Sequence, residues 1–74
     1  MPIVTIQVPA GALGADQKAA MIKGVTDAVV AAEGIPAVRP ATFVLIEEVP
    51  EGGWGIAGRA LGLDDMRAAL EKTQ

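Results

Sequence analysis

The segment PIVTIQV, residues 2–8, decides the fold of this chain. Its residues alternate so that Val4, Ile6 and Val8 lie on one face, which is the pattern of a β-strand with one face buried. Pro9 follows directly and is expected to end the strand. A strand of this kind needs a second strand and a covering layer, and the sequence downstream predicts both.

A long amphipathic helix is predicted over residues 15–33. Asp16 lies in its first turn, where a carboxylate suits the helix dipole, and Gly34 follows as the C-terminal cap. Apolar residues recur at three- and four-residue steps and predict a buried stripe made of Met21, Ile22, Val25, Ala28, Val29 and Ala32. The opposite, solvated face is predicted to carry Lys18, Lys23, Thr26 and Asp27.

A second strand is predicted over residues 42–49, TFVLIEEV, because the segment is rich in β-branched and aromatic residues. Residues 50–58 hold four glycines and Trp54, which is typical of tight turns or a short hairpin. A short last helix follows, with its apolar residues Leu63, Met66 and Leu70 on one face.

The predicted fold class is therefore α/β: a single β-α-β unit with a C-terminal glycine-rich hairpin or turn and a short helix. A strand, a helix and a strand in this order predict parallel strands with a right-handed crossover. We expect one domain over residues 1–74, because neither a linker nor an internal repeat is visible in the sequence.

The composition predicts an assembly of several copies. With 74 residues, 51% of them hydrophobic, and a mean hydropathy of +0.42, the chain is too apolar to be disordered and too short to bury its apolar surface alone. It contains no cysteine and no histidine, so we expect no disulfide and no metal site. The single predicted helix covers one face of the sheet, and we expect another copy to cover the other.

The charge and hydropathy patterns argue against nucleic-acid and membrane partners. The net charge is −3 and the six basic residues are scattered, so we expect no nucleic-acid partner. The apolar stretches are too short for a membrane span, and the N-terminus lacks the features of a signal peptide. We expect a cytoplasmic protein that binds a small molecule.

Pro2 is the candidate catalytic residue. If Met1 is removed, the ring nitrogen of Pro2 changes from an amide to a free secondary amine. The reference pKa of an α-amine is about 7.7 to 8.0, and burial in an apolar pocket lowers it further. A neutral amine near pH 7 can take a proton from a carbon beside a carbonyl and return it to another carbon, without any cofactor.

Four segments together resemble the 4-oxalocrotonate tautomerase family of the tautomerase superfamily. They are the opening PIVTIQV, the helix residues 16–28, the strand TFVLIEEV, and GWGIAG at residues 53–58. The resemblance covers roughly residues 2 to 60. It implies a β-α-β fold assembled as dimers and often as hexamers, with the C-terminal hairpin reaching a neighbouring subunit. It also implies an isomerase in which Pro2 is the general base.

The resemblance implies substrate-binding arginines at two positions that this chain does not keep. The first falls at Ala12 or Leu13 and the second at Phe43, whereas the aromatic residue of the hairpin is kept as Trp54. The residues predicted to bind the substrate are Arg39, Arg59, Trp54 and Phe43, with an arginine holding a carboxylate. The departures predict a substrate that is less anionic, more aromatic or simply different from a dicarboxylic dienol.

Three functions follow from these residues. The leading one is a cofactor-independent keto-enol tautomerase acting on a small unsaturated 2-hydroxy or 2-keto acid. The second is a hydratase or dehalogenase of unsaturated acids, which needs a protonated Pro2 and a carboxylate that activates water. Glu47 and Glu48 are adjacent on a strand and point to opposite faces, so they cannot act together on one atom. The third is a non-catalytic oligomer that binds a small ligand. For the assembly we favour a hexamer over a dimer.

Overall fold

A computed structural model describes residues 1–72, so the last two residues of the predicted domain lie outside the described part. The order of elements is β1 (Ile3–Pro9), α1 (Ala15–Glu33), a 3₁₀ helix (Pro36–Ala41), β2 (Phe43–Val49), β3 (Trp54–Ile56), β4 (Arg59–Leu61) and α2 (Leu63–Lys72). The predicted α/β architecture is confirmed, with its β-α-β unit, its C-terminal hairpin and its short last helix.

The central sheet consists of β1 and β2, which pair in parallel from the row Ile3–Phe43 to the row Pro9–Val49. β1 ends at Pro9, as predicted, and Pro9 is itself the last residue of the strand. Proline can occupy this position because the next residue, Ala10, donates the edge hydrogen bond to the carbonyl of Val49 at 2.8 Å.

The start of the second strand differs from the prediction by one residue. Thr42 caps the 3₁₀ helix, which the sequence did not predict: its N–H donates to the Arg39 carbonyl at 3.2 Å and its hydroxyl to the Val38 carbonyl at 2.7 Å. These two bonds hold Thr42 outside the ladder, so β2 begins at Phe43.

Helix α1 has the predicted bounds and ends at Gly34, whose φ of 71° is the left-handed conformation that glycine adopts readily. The predicted buried stripe is partly wrong. Met21, Val25 and Val29 are half-buried, but Ile22, at 40%, is exposed, as are Ala28 and Ala32. On the face predicted to be solvated, Lys18, Thr26 and Asp27 are half-buried. Lys18 precedes Met21, Val25 and Val29 by three, seven and eleven residues and therefore shares their face of the helix, from which its ammonium reaches a carboxylate on β2.

The sheet has two different faces. One faces α1 and carries Val4, Ile6, Val8, Val44 and Ile46, all half-buried. The other, which we call the outer sheet face, carries Ile3, Thr5, Gln7, Phe43, Leu45 and Glu47. On it Ile3, Phe43 and Leu45 stay 67%, 52% and 42% exposed. The chain therefore presents a row of apolar side chains that its own described elements leave open.

The isolated chain is extended for its size. Its radius of gyration is 15.3 Å, whereas a compact domain of this length has about 11 Å. Its accessible surface is 5262 Å², compared with about 4,250 Å² for a folded monomer of this mass. None of the described residues is fully buried. The surplus is about 1,000 Å², which is close to what one partner buries in a standard interface.

The C-terminal third is a hairpin followed by a helix. β3 and β4 pair antiparallel and are joined by Ala57 and Gly58, both with positive φ, as in the two-residue turns that match strand twist. The first amide of α2, Leu63, donates to a carboxylate oxygen of Glu51 at 2.9 Å, which ties this helix to the loop before the hairpin. No helix in the described part combines the length and apolarity that a bilayer-spanning segment requires.

Candidate active site

Pro2 lies at the head of β1, where the backbone of β2 holds it. Its carbonyl accepts a hydrogen bond from the amide N–H of Phe43 at 3.0 Å, and the residue is half-buried. Met1 precedes it and is largely exposed. While Met1 is attached, the Pro2 nitrogen is a tertiary amide and has no basic lone pair.

Phe43 stands beside Pro2 because parallel strands begin at the same edge of a sheet. It forms the first row of the ladder with Ile3, on the outer sheet face, and about half of its surface is open. Of the predicted substrate-binding residues, Phe43 is therefore directly linked to Pro2, and it gives that edge an apolar wall.

Arg39 lies at the same edge, in the 3₁₀ helix that leads into β2. Its guanidinium pairs with the carboxylate of Asp27 on α1 and its side chain is 51% exposed. Asp27 also accepts a hydrogen bond from Lys23 at 2.8 Å. The hydrogen bonds from Lys23 and from Arg39 lower the pKa of Asp27 below its ordinary value, so this carboxylate stays ionised near neutral pH.

Trp54 and Arg59 lie at the other end of the sheet. Trp54 is half-buried and lines a shallow cavity of about 200 Å³ together with Gln7, Val8, Pro9 and Val49. Arg59 is mostly exposed, with Nη2 4.0 Å from Oδ1 of Asp65. A more open groove of about 370 Å³ lies between Trp54, Arg59 and the hairpin glycines.

One chain does not bring all predicted site residues together. From the first row of the ladder to the row Pro9–Val49 the strands rise about 20 Å. Pro2, Phe43 and Arg39 share one edge, whereas Trp54 and Arg59 lie near the opposite one. Both cavities described above lie near the hairpin, and Pro2 lines neither of them.

The two adjacent glutamates of β2 have separate environments, as their alternation predicts. Glu47 lies on the outer sheet face and accepts a hydrogen bond from Gln7 at 3.3 Å. Glu48 lies on the helix side, where Lys18 approaches to 3.1 Å and the Gly11 N–H to 3.4 Å. These contacts, chiefly the one with Lys18, lower the pKa of Glu48 below its ordinary value.

Two residues that form ion pairs in this region are not identified from the sequence. Asp27 and Lys18 were both assigned to the solvated face of the helix, yet each pairs with a group outside α1. The spacing of Lys23 and Asp27, four residues apart on a helix, does indicate their pairing. Nothing in the sequence indicates that Arg39 reaches the same carboxylate, because the 3₁₀ helix that aims it was not predicted.

Comparison with protein families finds a match over most of the chain. The family Tautomerase, described as "Tautomerase enzyme", matches residues 2–64, which is most of the chain and ends just inside α2. None of the curated proteins compared with the chain matches it.

Proposed function

The chain belongs to the tautomerase family of enzymes, and from this premise we propose that it is a cofactor-independent keto-enol tautomerase of a small unsaturated 2-hydroxy or 2-keto acid. The observation that carries the proposal is the placement of Pro2. The carbonyl of Pro2 accepts a 3.0 Å hydrogen bond from the Phe43 amide, which fixes the residue in place. The edge of the sheet where it lies also carries apolar side chains and one arginine.

Pro2 acts as general base once Met1 is removed. The neutral amine takes the proton of the enol hydroxyl or of the carbon beside the carbonyl, and the protonated amine returns a proton to the conjugated carbon. The ring restricts the direction of the nitrogen lone pair, and the strand fixes the residue that carries it. Once a neighbouring subunit covers Phe43 and Ile3, the apolar surroundings disfavour the ammonium form and keep the amine neutral near pH 7.

Arg39 is the proposed holder of the substrate carboxylate. It lies at the same edge as Pro2, and a guanidinium binds a carboxylate through two parallel hydrogen bonds. Phe43 offers the apolar contact on the side where the substrate carries its unsaturated chain. One arginine together with one aromatic ring suits an acid with a single carboxylate and an apolar tail.

Trp54 and Arg59 join the site only from another copy. We propose that the outer sheet face is covered in a homo-oligomer, with a hexamer favoured over a dimer, and that the hairpin of the partner subunit closes the pocket over Pro2. The surplus of exposed surface and the open row of Ile3, Phe43 and Leu45 support this assembly. A monomer would leave Pro2 in water, where its amine would be mostly protonated at pH 7.

The hydration reaction is the weaker candidate because its water-activating carboxylate is hard to supply. Glu48 is engaged by Lys18 and by the Gly11 amide on the helix side of the sheet, and Asp27 is engaged by two cations. Glu47 lies toward the far end of the ladder, two rows beyond Leu45. A non-catalytic binding protein is the conclusion if the following experiment fails.

The test is the ketonisation of phenylenolpyruvate, followed by ultraviolet absorbance, with the wild type and Pro2→Ala. Intact mass first establishes that Met1 is absent from both proteins. We expect turnover that needs Pro2 and that declines as the pH falls below the pKa of the amine. Absence of any rate above buffer in wild-type protein without Met1 would refute the proposal.

Sharing of the site between copies has its own test. Pro2→Ala and Trp54→Ala are each expected to be nearly inactive alone. After the two are unfolded together and refolded as a mixture, some sites combine a native Pro2 with a native Trp54 from the neighbouring subunit. We expect activity to reappear in the mixture, and no recovery would show that both residues act within one chain.

A further inference from the structure

The carboxylate of Asp27 is shared between two cations at the edge where Pro2 lies. Its Oδ2 accepts from the Lys23 ammonium at 2.8 Å, and its Oδ1 accepts from Nη2 of Arg39. Helix α1 starts after the last row of the ladder and returns to the edge where β2 begins, so its C-terminal half brings Asp27 to the 3₁₀ helix. All three side chains are partly open to solvent, and the substrate can therefore reach them.

This arrangement has a consequence for an incoming anion. A carboxylate gains most from a guanidinium when it takes two parallel N–H donors, and Asp27 already occupies one of the terminal nitrogens of Arg39. The positive charge of Arg39 is also partly balanced before a substrate arrives. An anion at this edge therefore competes with a carboxylate that belongs to the protein.

We propose that Asp27 is a positioning residue that restrains Arg39 and competes with the substrate carboxylate, so that it sets the KM of the enzyme without entering the chemistry. The proposal rests on the proposed function, in which Arg39 holds the carboxylate. Lys23 moderates the restraint, because it draws part of the charge of Asp27 away from Arg39.

The test is kinetic and uses the intact chain. In Asp27→Asn the KM for phenylenolpyruvate is expected to fall roughly two- to fivefold with kcat unchanged, since exposed ion pairs are worth only about that much. Asp27→Glu should restore the wild-type KM. Asp64→Asn in the first turn of α2 removes the same charge away from the cluster and should leave KM unchanged.

A double variant separates competition from net charge. Lys23→Gln with Asp27→Asn keeps the net charge of the wild type but frees Arg39, so its KM should still fall. In an Arg39→Met background, Asp27→Asn should have no effect on KM. This result would show that Asp27 acts on KM through Arg39. A KM equal to or above that of the wild type in the charge-neutral double variant would overturn the proposal.

A binding measurement keeps the inference independent of turnover. Phenylpropionate carries the same carboxylate but cannot tautomerise, and calorimetry gives its Kd for each variant. Tighter binding by the double variant supports the restraint even if no protein shows Pro2-dependent turnover, in which case only the proposed reaction fails. Turnover that needs Pro2, combined with unchanged Kd and KM in the double variant, refutes the restraint alone.

Discussion

Leu45 gives a direct measure of what the outer sheet face contributes to assembly. It lies in the middle of that face, opposite Thr5, and is 42% exposed in the isolated chain. Full burial of a leucine side chain is worth about 1.5–3 kcal/mol, so covering the part still exposed is worth about 0.6–1.3 kcal/mol per copy. If two copies cover each other's Leu45, truncation affects both and costs about 1.2–2.6 kcal/mol. Leu45→Ala should therefore weaken self-association roughly 8- to 80-fold.

The assay is sedimentation velocity over a dilution series, from which the association constant of each variant is obtained. Ile22→Ala is the matched control, because Ile22 is 40% exposed on the helix side of the molecule. It removes a similar apolar surface and should leave the association constant unchanged. Equal weakening by both variants, or a wild type that is monomeric at micromolar concentration, would refute the assignment of the outer sheet face to assembly.

Three further changes test other parts of the structure. In Gly55→Ala the new Cβ would lie 2.2 Å from a carbonyl oxygen of the facing hairpin strand, so the hairpin should open and activity should be lost. In Gly24→Ala no atom lies within 4 Å of the new Cβ, and the helix propensity of alanine should raise the midpoint of thermal unfolding. In Glu48→Gln the free energy of unfolding should be lower than in the wild type at neutral pH, and this difference should disappear as the pH falls below the ordinary glutamate value of 4.5. The reason is that the lysine and amide contacts lower the pKa of Glu48 in the folded chain. Thermal melts from pH 3 to pH 7 measure the difference, and a difference that stays constant would contradict the prediction. In Glu51→Ala the Leu63 amide loses its hydrogen-bond acceptor, so its hydrogen exchange should become faster. The change in rate should correspond to the loss of a helix cap, which is worth roughly 1 kcal/mol. An unchanged exchange rate would show that this contact contributes nothing to stability.

Much of the fold could be predicted because the chain alternates cleanly between two periods. The period of two in residues 2–8, the period near 3.6 in the helix and the β-branched and aromatic content of residues 42–49 indicate the two strands, the helix and their parallel arrangement. Gly34 marks the end of α1 because a left-handed residue is needed there. These patterns depend on residues close together in the sequence, so the elements that they predict form without contacts between distant segments.

The parts that were wrong depend on contacts between distant segments. The position of Lys18 on the half-buried side of α1 was missed because it depends on a pair with Glu48, thirty residues along the chain, which the charge of a lysine does not indicate. The 3₁₀ helix was missed because its prolines also suit an irregular connection. The residues of the candidate site stay a prediction, and their division between two ends of the sheet follows from the strand length and the path of the hairpin, which the sequence does not specify.

The parallel register of β1 and β2 restricts how chains of this kind can change length during evolution. Side chains alternate between the two faces with a period of two, so one residue inserted within either strand would exchange the faces of every residue beyond it. A residue inserted after Phe43, for example, would turn Val44 from the helix side to the outer sheet face and Leu45 from the outer sheet face toward the helix. Two residues inserted together would preserve the faces, and a single one would have to be accommodated by a bulge, whereas a residue added between β2 and β3 leaves both faces unchanged. Descendants of this chain should therefore vary in length at the loops and stay fixed in both strands.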